Sequence, residues 1–255
     1  MEQHDLTIRQ FGSKADDYLS STVHATGADL DRLCALAQRL QSTSALDLGC
    51  GAGHASYALA RAGVREIVAY DLAPAMLLVA ATEARTRGHD QIQTQVGPAE
   101  RLPFAAASFD LVVTRFSAHH WLDLPRALGE CARVLTPGGI LVVIDVLAPE
   151  SPLLDTVLQT VEFLRDESHV RDHRESEWRA LFTAAGFATP AVGRWRLPME
   201  FHSWVARIGT SPPRVCALEV VFDALPAEAR RHFEVTPERS FTIDAGWLET
   251  TKERP

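Results

Sequence analysis

Two neighbouring histidines and a tryptophan follow an apolar run near the middle of the chain. The run at 111–115 fits a buried strand, and His119, His120 and Trp121 come shortly after it. An imidazole can take a proton from a reacting group near neutral pH, and an indole offers an apolar wall. Because ligands bind at the carboxyl ends of parallel strands, we predict that His119 and His120 are catalytic and that Trp121 contacts substrate. A capping or core role for the histidines is the alternative.

A glycine-rich turn is the second stretch whose residues suit chemistry. Residues 45–53 read Ala-Leu-Asp-Leu-Gly-Cys-Gly-Ala-Gly, and an Ala-rich run that predicts a helix follows at 54–61. Glycine at alternate positions, Gly49, Gly51 and Gly53, permits positive φ angles and lets a ligand approach the main chain. The start of the helix adds free N–H groups. This strand, turn and helix start predict a site for a nucleotide-like ligand.

The spacing and charge of the turn distinguish among nucleotides. The dinucleotide fingerprint places its third glycine one residue later than Gly53, and no Gly-Lys-Ser/Thr follows as in a P-loop. Asp47 would repel a pyrophosphate, whereas it suits a ligand that carries an ammonium and a sulfonium. A purely structural turn is the alternative.

Asp-x-Gly-x-Gly-x-Gly resembles the first motif of class I S-adenosylmethionine-dependent methyltransferases. Further stretches resemble the ubiquinone- and menaquinone-biosynthesis type, known as methyltransferase domain 11. They are Leu-Pro-Phe at 102–104, Ser-Phe-Asp at 108–110 and Leu-Thr-Pro-Gly-Gly at 135–139. Phe-x3-Ala-x2-Tyr at 11–18 resembles a segment that folds over the cofactor as a lid in that family. The resemblance covers about residues 1–146, and its motifs occur in the family's order.

The resemblance implies S-adenosylmethionine as cofactor and S-adenosylhomocysteine as product. Asp71 ends the second predicted strand, where an acid accepts hydrogen bonds from ribose hydroxyls. Relatives usually carry Gly-Asp-Ala-Glu where this chain has Gly-Pro-Ala-Glu at 97–100, so only backbone contacts from Ala99 and Glu100 are expected there. The expected cofactor-binding residues are Asp47, Gly49, Cys50, Gly51, Gly53, Asp71, Leu72, Met76, Ala99, Glu100, Arg115 and Tyr18.

The second half of the chain is expected to bind the acceptor. His169 and His173 lie in a polar cluster, Trp204 belongs to an aromatic group, and Arg207 suits a substrate carboxylate. We predict substrate contacts from these four residues. A solvated loop and ordinary cap packing are the alternatives.

Alternating strands and helices must position these residues. The pattern and the resemblance predict an α/β fold with a Rossmann-like, seven-stranded, mostly parallel sheet and helices on both faces. Predicted strands begin at 45, 66, 91, 111, about 140, 189 and 240, and helix-like runs at 201–208, 215–225 and 227–233 predict a helical cap before the last strand. We expect an N-terminal helical lid at 1–44, a cofactor-binding core at 45–150, and the remaining sheet with its cap, about 200–239, at 151–255.

Composition excludes several classes of partner. The 255 residues carry a net charge of −8, without a Lys/Arg-rich run, so nucleic acid is not expected. We find no apolar run of about 20 residues and no signal peptide pattern, so we expect a cytoplasmic protein without a membrane partner. Four cysteines lack ligand spacing, and no metal is predicted. The sequence does not indicate the oligomeric state.

These features predict methyl transfer to a small-molecule acceptor by in-line displacement. Three alternatives stay open at this point: an enzyme of the same fold that cyclises the cofactor, a nicotinamide oxidoreductase, and a non-catalytic binding module.

Overall fold

A computed structural model describes residues 2–12 and 27–253. The described residues form an eight-stranded sheet with the order β3-β2-β1-β4-β5-β8-β7, and β6 pairs with β5 beside this path. The strands are β1 (Ser44–Leu48), β2 (Glu66–Asp71), β3 (Ile92–Val96), β4 (Phe109–Arg115), β5 (Leu135–Ala148), β6 (His173–Arg174), β7 (Ala191–Met199) and β8 (Phe241–Thr251). The first six pair in parallel, whereas β8 runs antiparallel to both β5 and β7.

Helices connect these strands and cover both faces of the sheet. They are α1 (Gln3–Gly12), α2 (Ala28–Leu40), α3 (His54–Arg61), α4 (Pro74–Thr86), α5 (Leu124–Val134), α6 (Pro152–Arg165), α7 (Glu175–Ala184), α8 (Phe201–Ile208), α9 (Pro212–Asp223) and α10 (Ala227–His232). No helix within the described ranges is long and apolar enough to cross a membrane.

The core lies on both sides of the sheet. On one face, Leu33 and Leu59 from α2 and α3 pack with Val113 of β4. On the other face, Leu128 and Trp178 from α5 and α7 pack in a second cluster, which also contains residues of β1, β4 and β5. Because both faces are covered, most of β4 and the carboxyl-terminal part of β5 are buried, as parallel strands usually are.

The cap predicted before the last strand is present as α8, α9 and α10, between β7 and β8. Trp204 of α8 and Phe222 of α9 pack against Phe241 of β8, with ring centroids 4.9 and 5.0 Å from that residue. These apolar contacts place the cap over the carboxyl-end side of the sheet.

Two details differ from the sequence-based expectation. The sheet has an eighth strand, because two residues of the predicted polar loop, His173 and Arg174, pair with Leu147 and Ala148 of β5. Strand β5 also begins at Leu135 rather than after the Pro-Gly-Gly stretch at 137–139. A register shift against β4 accommodates this stretch within the strand. The α/β class and the mostly parallel sheet are confirmed.

Helix α1 crosses the carboxyl-end side of the sheet. The amide of Gln3 donates to the backbone oxygen of Ser168 at 2.7 Å, and that of Gln10 donates to the backbone oxygen of Ile208 at 2.7 Å. The start of the chain is thereby attached to the loop after α6 and to the cap.

Candidate functional site

A cavity of about 950 Å³, its open mouth included, lies where β1, β2 and β4 end. We call it the first cavity. Among the predicted cofactor-binding residues, its lining includes Asp47, Gly49, Cys50, Gly51, Asp71, Leu72, Met76, Ala99, Glu100 and Arg115. Gly53 lies behind the lining, and Tyr18 falls outside the described residues.

The three glycines of the turn meet different surroundings. Gly49 has a φ of 71°, and a Cβ there would lie 1.8 Å from Oγ of Ser117. Gly53 begins α3 with a φ of 90°, and a Cβ there would lie 2.7 Å from the hydroxyl of Tyr57. Gly51 has a φ of 51°, and a Cβ there would meet no described atom within 4 Å. Packing therefore requires glycine at two positions, whereas at Gly51 the open space belongs to the cavity.

A buried carboxylate, Asp47, and a partly buried one, Asp71, flank the turn. Asp71 accepts hydrogen bonds from the backbone N–H groups of Gly51 and Ala73, each at 2.8 Å. Asp47 is fully buried and accepts from both the N–H and the hydroxyl of Ser56 through Oδ2, at 2.8 and 2.6 Å. Its Oδ1 has no hydrogen-bond partner in the described part of the chain. Burial raises the pKa of Asp47 to about 6 and also raises the pKa of Asp71.

Three further residues of the first cavity are held by neighbouring elements. Nε of Arg115 donates to Oδ2 of Asp29 in α2 at 2.5 Å. Glu100 accepts from the N–H groups of residues 122 and 123, at 2.9 and 3.2 Å. The indole of Trp121 donates to Oγ of Ser117 at 3.2 Å, so this residue, predicted as a substrate contact, lines the first cavity.

A second cavity of about 600 Å³ adjoins the first. Phe11, Phe116 and His120 line both cavities. The rest of its lining combines apolar and charged side chains: His119, Val146, Glu162, Arg165, Asp166, Asp172, Leu197, Met199, Trp204, Arg207 and Ile243. The two spaces therefore meet at a boundary formed by two phenylalanines and one histidine.

The predicted catalytic histidines have opposite electrostatic surroundings. Nδ1 of His119 lies 2.6 Å from Oδ1 of Asp145. Burial alone would lower the pKa of His119, but the charge and hydrogen bond of Asp145, together with the charges of Asp172 and Glu162, outweigh it and raise that pKa to about 9. Nδ1 of His120 lies 3.1 Å from the backbone oxygen of Ser168, and burial together with the charge of His119 lowers the pKa of His120.

The hydrogen bond to Ser168 also fixes the tautomer of His120. A carbonyl oxygen only accepts, so Nδ1 of His120 carries the proton and Nε2 of the neutral ring has the lone pair. Oδ2 of Asp166 lies 3.8 Å from that Nε2, where a carboxylate stabilises the ring after it gains a proton.

The four predicted substrate residues of the second half divide into two pairs. Trp204 and Arg207 line the second cavity. His169 is buried behind His119, with ring centroids 5.8 Å apart, and His173 packs on Trp178 at 5.6 Å. Neither of these two histidines belongs to the lining of either cavity.

Sequence reasoning missed the three buried acids that line the second cavity and a fourth, Asp145, that contacts His119 beside them. Asp145, Glu162, Asp166 and Asp172 are each at most 7% exposed. Asp145 stands within an apolar strand, which is a signal that could have identified it. The other three follow the ordinary pattern of a polar helix and loop, so the sequence offered no comparable signal.

Comparison with known proteins supplies the family. A model described as a methyltransferase domain matches residues 46–143. The uncharacterized methyltransferase YcgJ of Bacillus subtilis (strain 168) is 36% identical over 226 residues, which is 89% of each chain. The chain belongs to the class I S-adenosylmethionine-dependent methyltransferases.

A solved structure of YcgJ and a further relative show how far the likeness extends along this methyltransferase. The crystal structure of the YcgJ protein from Bacillus subtilis superimposes with a TM-score of 0.83 and 33% identity, over 88% of this chain and 100% of that one. The uncharacterized protein YafE of Escherichia coli (strain K12) is 44% identical over 181 residues, or 71% of this chain and 87% of the relative. The likeness extends well beyond the glycine turn into the second half of the methyltransferase.

Proposed function

We propose that this methyltransferase binds S-adenosylmethionine in the first cavity and methylates a small-molecule acceptor in the second. The observation that carries the proposal is the shared boundary of the two cavities at Phe11, Phe116 and His120. A donor on one side and an acceptor on the other would face each other across a single opening, as in-line transfer requires.

The residues of the first cavity fit the cofactor. We assign the carboxylate of Asp71, at the end of β2, to the ribose hydroxyls, and two backbone N–H groups orient its oxygens. The unpartnered Oδ1 of Asp47 suits the ammonium group, and the open space at Gly51 lets the ligand approach the main chain. Leu72 and Met76 offer apolar contacts for the adenine.

The bound cofactor supplies an electrophilic methyl carbon, which bonds to the acceptor while the C–S electron pair returns to sulfur. We assign His120 as the base that removes a proton from the small-molecule acceptor, where the acceptor must lose one. Its Nε2 carries the lone pair at the junction of the cavities, and Asp166 stands 3.8 Å away to stabilise the protonated ring. Phe11 and Phe116 exclude water from the same junction.

The test begins with calorimetric titrations of the purified chain with S-adenosylmethionine, S-adenosylhomocysteine and NADH. We expect binding of the first two and no heat from NADH. Methyl-labelled cofactor is then incubated with a library of small hydroxyl, amine, thiol and carbon-acid compounds. Transfer of label to one acceptor class, with stoichiometric S-adenosylhomocysteine, supports the proposal. Methylthioadenosine without a labelled product would instead show cyclisation of the cofactor.

A further inference from the structure

Three buried carboxylates, Glu162, Asp166 and Asp172, line the second cavity, and a fourth, Asp145, contacts His119 of that lining. Asp145 is paired with His119 at 2.6 Å, and Glu162 lies 3.6 Å from Arg165. Asp166 accepts hydrogen bonds from the N–H and hydroxyl of Ser168, at 2.8 and 2.7 Å. Each of these three acids has a partner of its own.

Asp172 differs from the other acids of the wall. Its side chain is 1% exposed, it lines the second cavity, and neither carboxylate oxygen has a hydrogen-bond partner among residues 2–12 and 27–253. Nε2 of His169 is 3.8 Å from Oδ2, but that nitrogen lies 3.1 Å from the side-chain oxygen of Gln159, which can only accept. Burying a carboxylate whose two oxygens both lack a hydrogen-bond partner is costly, and a cation bound to it would offset that cost.

The neighbours of Asp172 indicate which cation. His119, Asp145 and Asp172 each offer one ligand atom, and these three atoms lie within 4.8 Å of one another. Two carboxylate oxygens and one imidazole nitrogen are a donor set for first-row divalent metals, because the nitrogen is softer than the all-oxygen ligands that magnesium and calcium prefer.

We propose that His119, Asp145 and Asp172 bind a divalent first-row metal cation, such as Mn²⁺ or Zn²⁺, at the wall of the second cavity. Three protein ligands leave coordination positions that face the cavity. If the proposed function holds, an acceptor hydroxyl or enol oxygen occupies one of them, so the inference also names the acceptor class.

The residues present account for every proton and electron pair in the methylation of such an acceptor. Coordination weakens the O–H bond, and the proton moves to Nε2 of His120. The freed oxygen pair bonds to the methyl carbon, and the C–S pair returns to sulfur. The metal is neither oxidised nor reduced, so no further reactant is needed.

The test uses the whole chain, freed of metal by dialysis against a chelator. Mn²⁺, Zn²⁺ and Mg²⁺ are titrated separately by calorimetry, and Mn²⁺ binding is repeated by electron paramagnetic resonance. Asp172→Asn keeps the side-chain shape and removes the charge. Loss of a group that only orients a ligand costs about 10–100-fold in metal affinity, so loss of the Asp172 ligand should cost about 100-fold or more. Asp166→Asn is the matched control, because Asp166 is equally buried on the same wall, and it should bind Mn²⁺ like the natural chain.

Thermal unfolding separates a lost ligand from a lost fold. Mn²⁺ should raise the melting temperature of the natural chain and of Asp166→Asn but not that of Asp172→Asn, and without metal Asp172→Asn should be at least as stable as the natural chain. Failure of Mn²⁺ and Zn²⁺ to bind, equal binding to Asp172→Asn, or binding of Mg²⁺ alone would each overturn the metal site. S-adenosylhomocysteine affinity, measured on the same samples, reports separately on the proposed function.

Discussion

The two cavities of this methyltransferase are built in different ways. The turn at 49–53 and the ends of β1, β2 and β4 form much of the first, with backbone groups and two acids, Asp47 and Asp71, that belong to β1 and β2. The second takes side chains from positions as distant as Phe11 and Ile243, carried by α1, β5, α6, β7, α8 and β8. A contiguous motif can specify the first kind of site, whereas the second exists only after the chain has folded.

The largest expected effect falls on the junction of the cavities. His120→Gln removes the proposed proton acceptor but keeps a donor for the backbone oxygen of Ser168. With an acceptor identified by the labelling screen, kcat should fall about 10²–10⁴-fold, since a positioned base contributes that much. Affinity for S-adenosylhomocysteine, measured by calorimetry, serves as the control and should change little. If His120→Gln kept the kcat of the natural chain, the enzyme would act only by positioning the cofactor and the acceptor.

A matched pair of glycine substitutions separates folding from ligand binding in the first cavity. Gly49→Ala forces a Cβ onto Ser117 at a positive φ, so unfolding in urea should show a loss of about 2–5 kcal/mol. Gly51→Ala meets open space, so its stability should fall by only about 1–2 kcal/mol, from the positive φ. In free energy, Gly51→Ala should lose more of its cofactor binding than of its folding stability. Equal loss of stability in both variants would contradict the difference in packing.

Asp71→Ala tests the ribose assignment. The loss of charge-assisted hydrogen bonds should weaken S-adenosylhomocysteine binding by roughly 1–3 kcal/mol in a calorimetric titration. Asp71→Asn retains an oxygen that can accept from Gly51 or Ala73, so it should lose less. Unchanged affinity in Asp71→Ala would remove this carboxylate from the cofactor site.

The smallest effect concerns pH and Asp47. Burial and, to a smaller extent, the charge of Asp71 raise the pKa of Asp47 to about 6, against the hydrogen bonds from Ser56 and the charge of Arg115, which lower it. The carboxylate form that would pair with the ammonium of the cofactor is therefore lost as the pH falls through about 6. S-adenosylhomocysteine affinity should drop roughly tenfold between pH 7 and pH 5, and the affinity of Asp47→Asn should vary less over that interval.

The raised pKa of Asp47 affects folding stability in the opposite direction: cofactor affinity should rise with pH, whereas stability should fall. Since the folded chain holds this proton more tightly than the unfolded chain, the stabilisation is complete below the ordinary value of 3.8 and is lost as the pH rises through about 6. Asp47→Asn should accordingly be more stable than the natural chain at pH 8 and similar to it at pH 4. Urea unfolding at the two pH values measures the difference, and a constant difference would argue against the raised pKa.

Prediction from sequence was most successful where short-range pattern decides the outcome. Strand β2 and helix α3 have the predicted bounds, because an apolar run and a start signal each fix an element locally. The glycine turn, Asp71 and Met76 were likewise placed at one cavity by motif and order. Trp121, predicted as a substrate contact, lines the first cavity, where its indole N–H donates to Oγ of Ser117.

The sequence by itself determined the α/β alternation, the glycine turn at 49–53 and the family, since each depends on residues adjacent along the chain. Tertiary structure alone decided that His119 meets Asp145 and Asp172, which are 26 and 53 positions further along the sequence. It also decided that His169 and His173 turn away from both cavities. The physical reason is that burial and charge compensation depend on three-dimensional neighbours, and β5, α6 and the loop before β6 become neighbours only when the sheet closes around them.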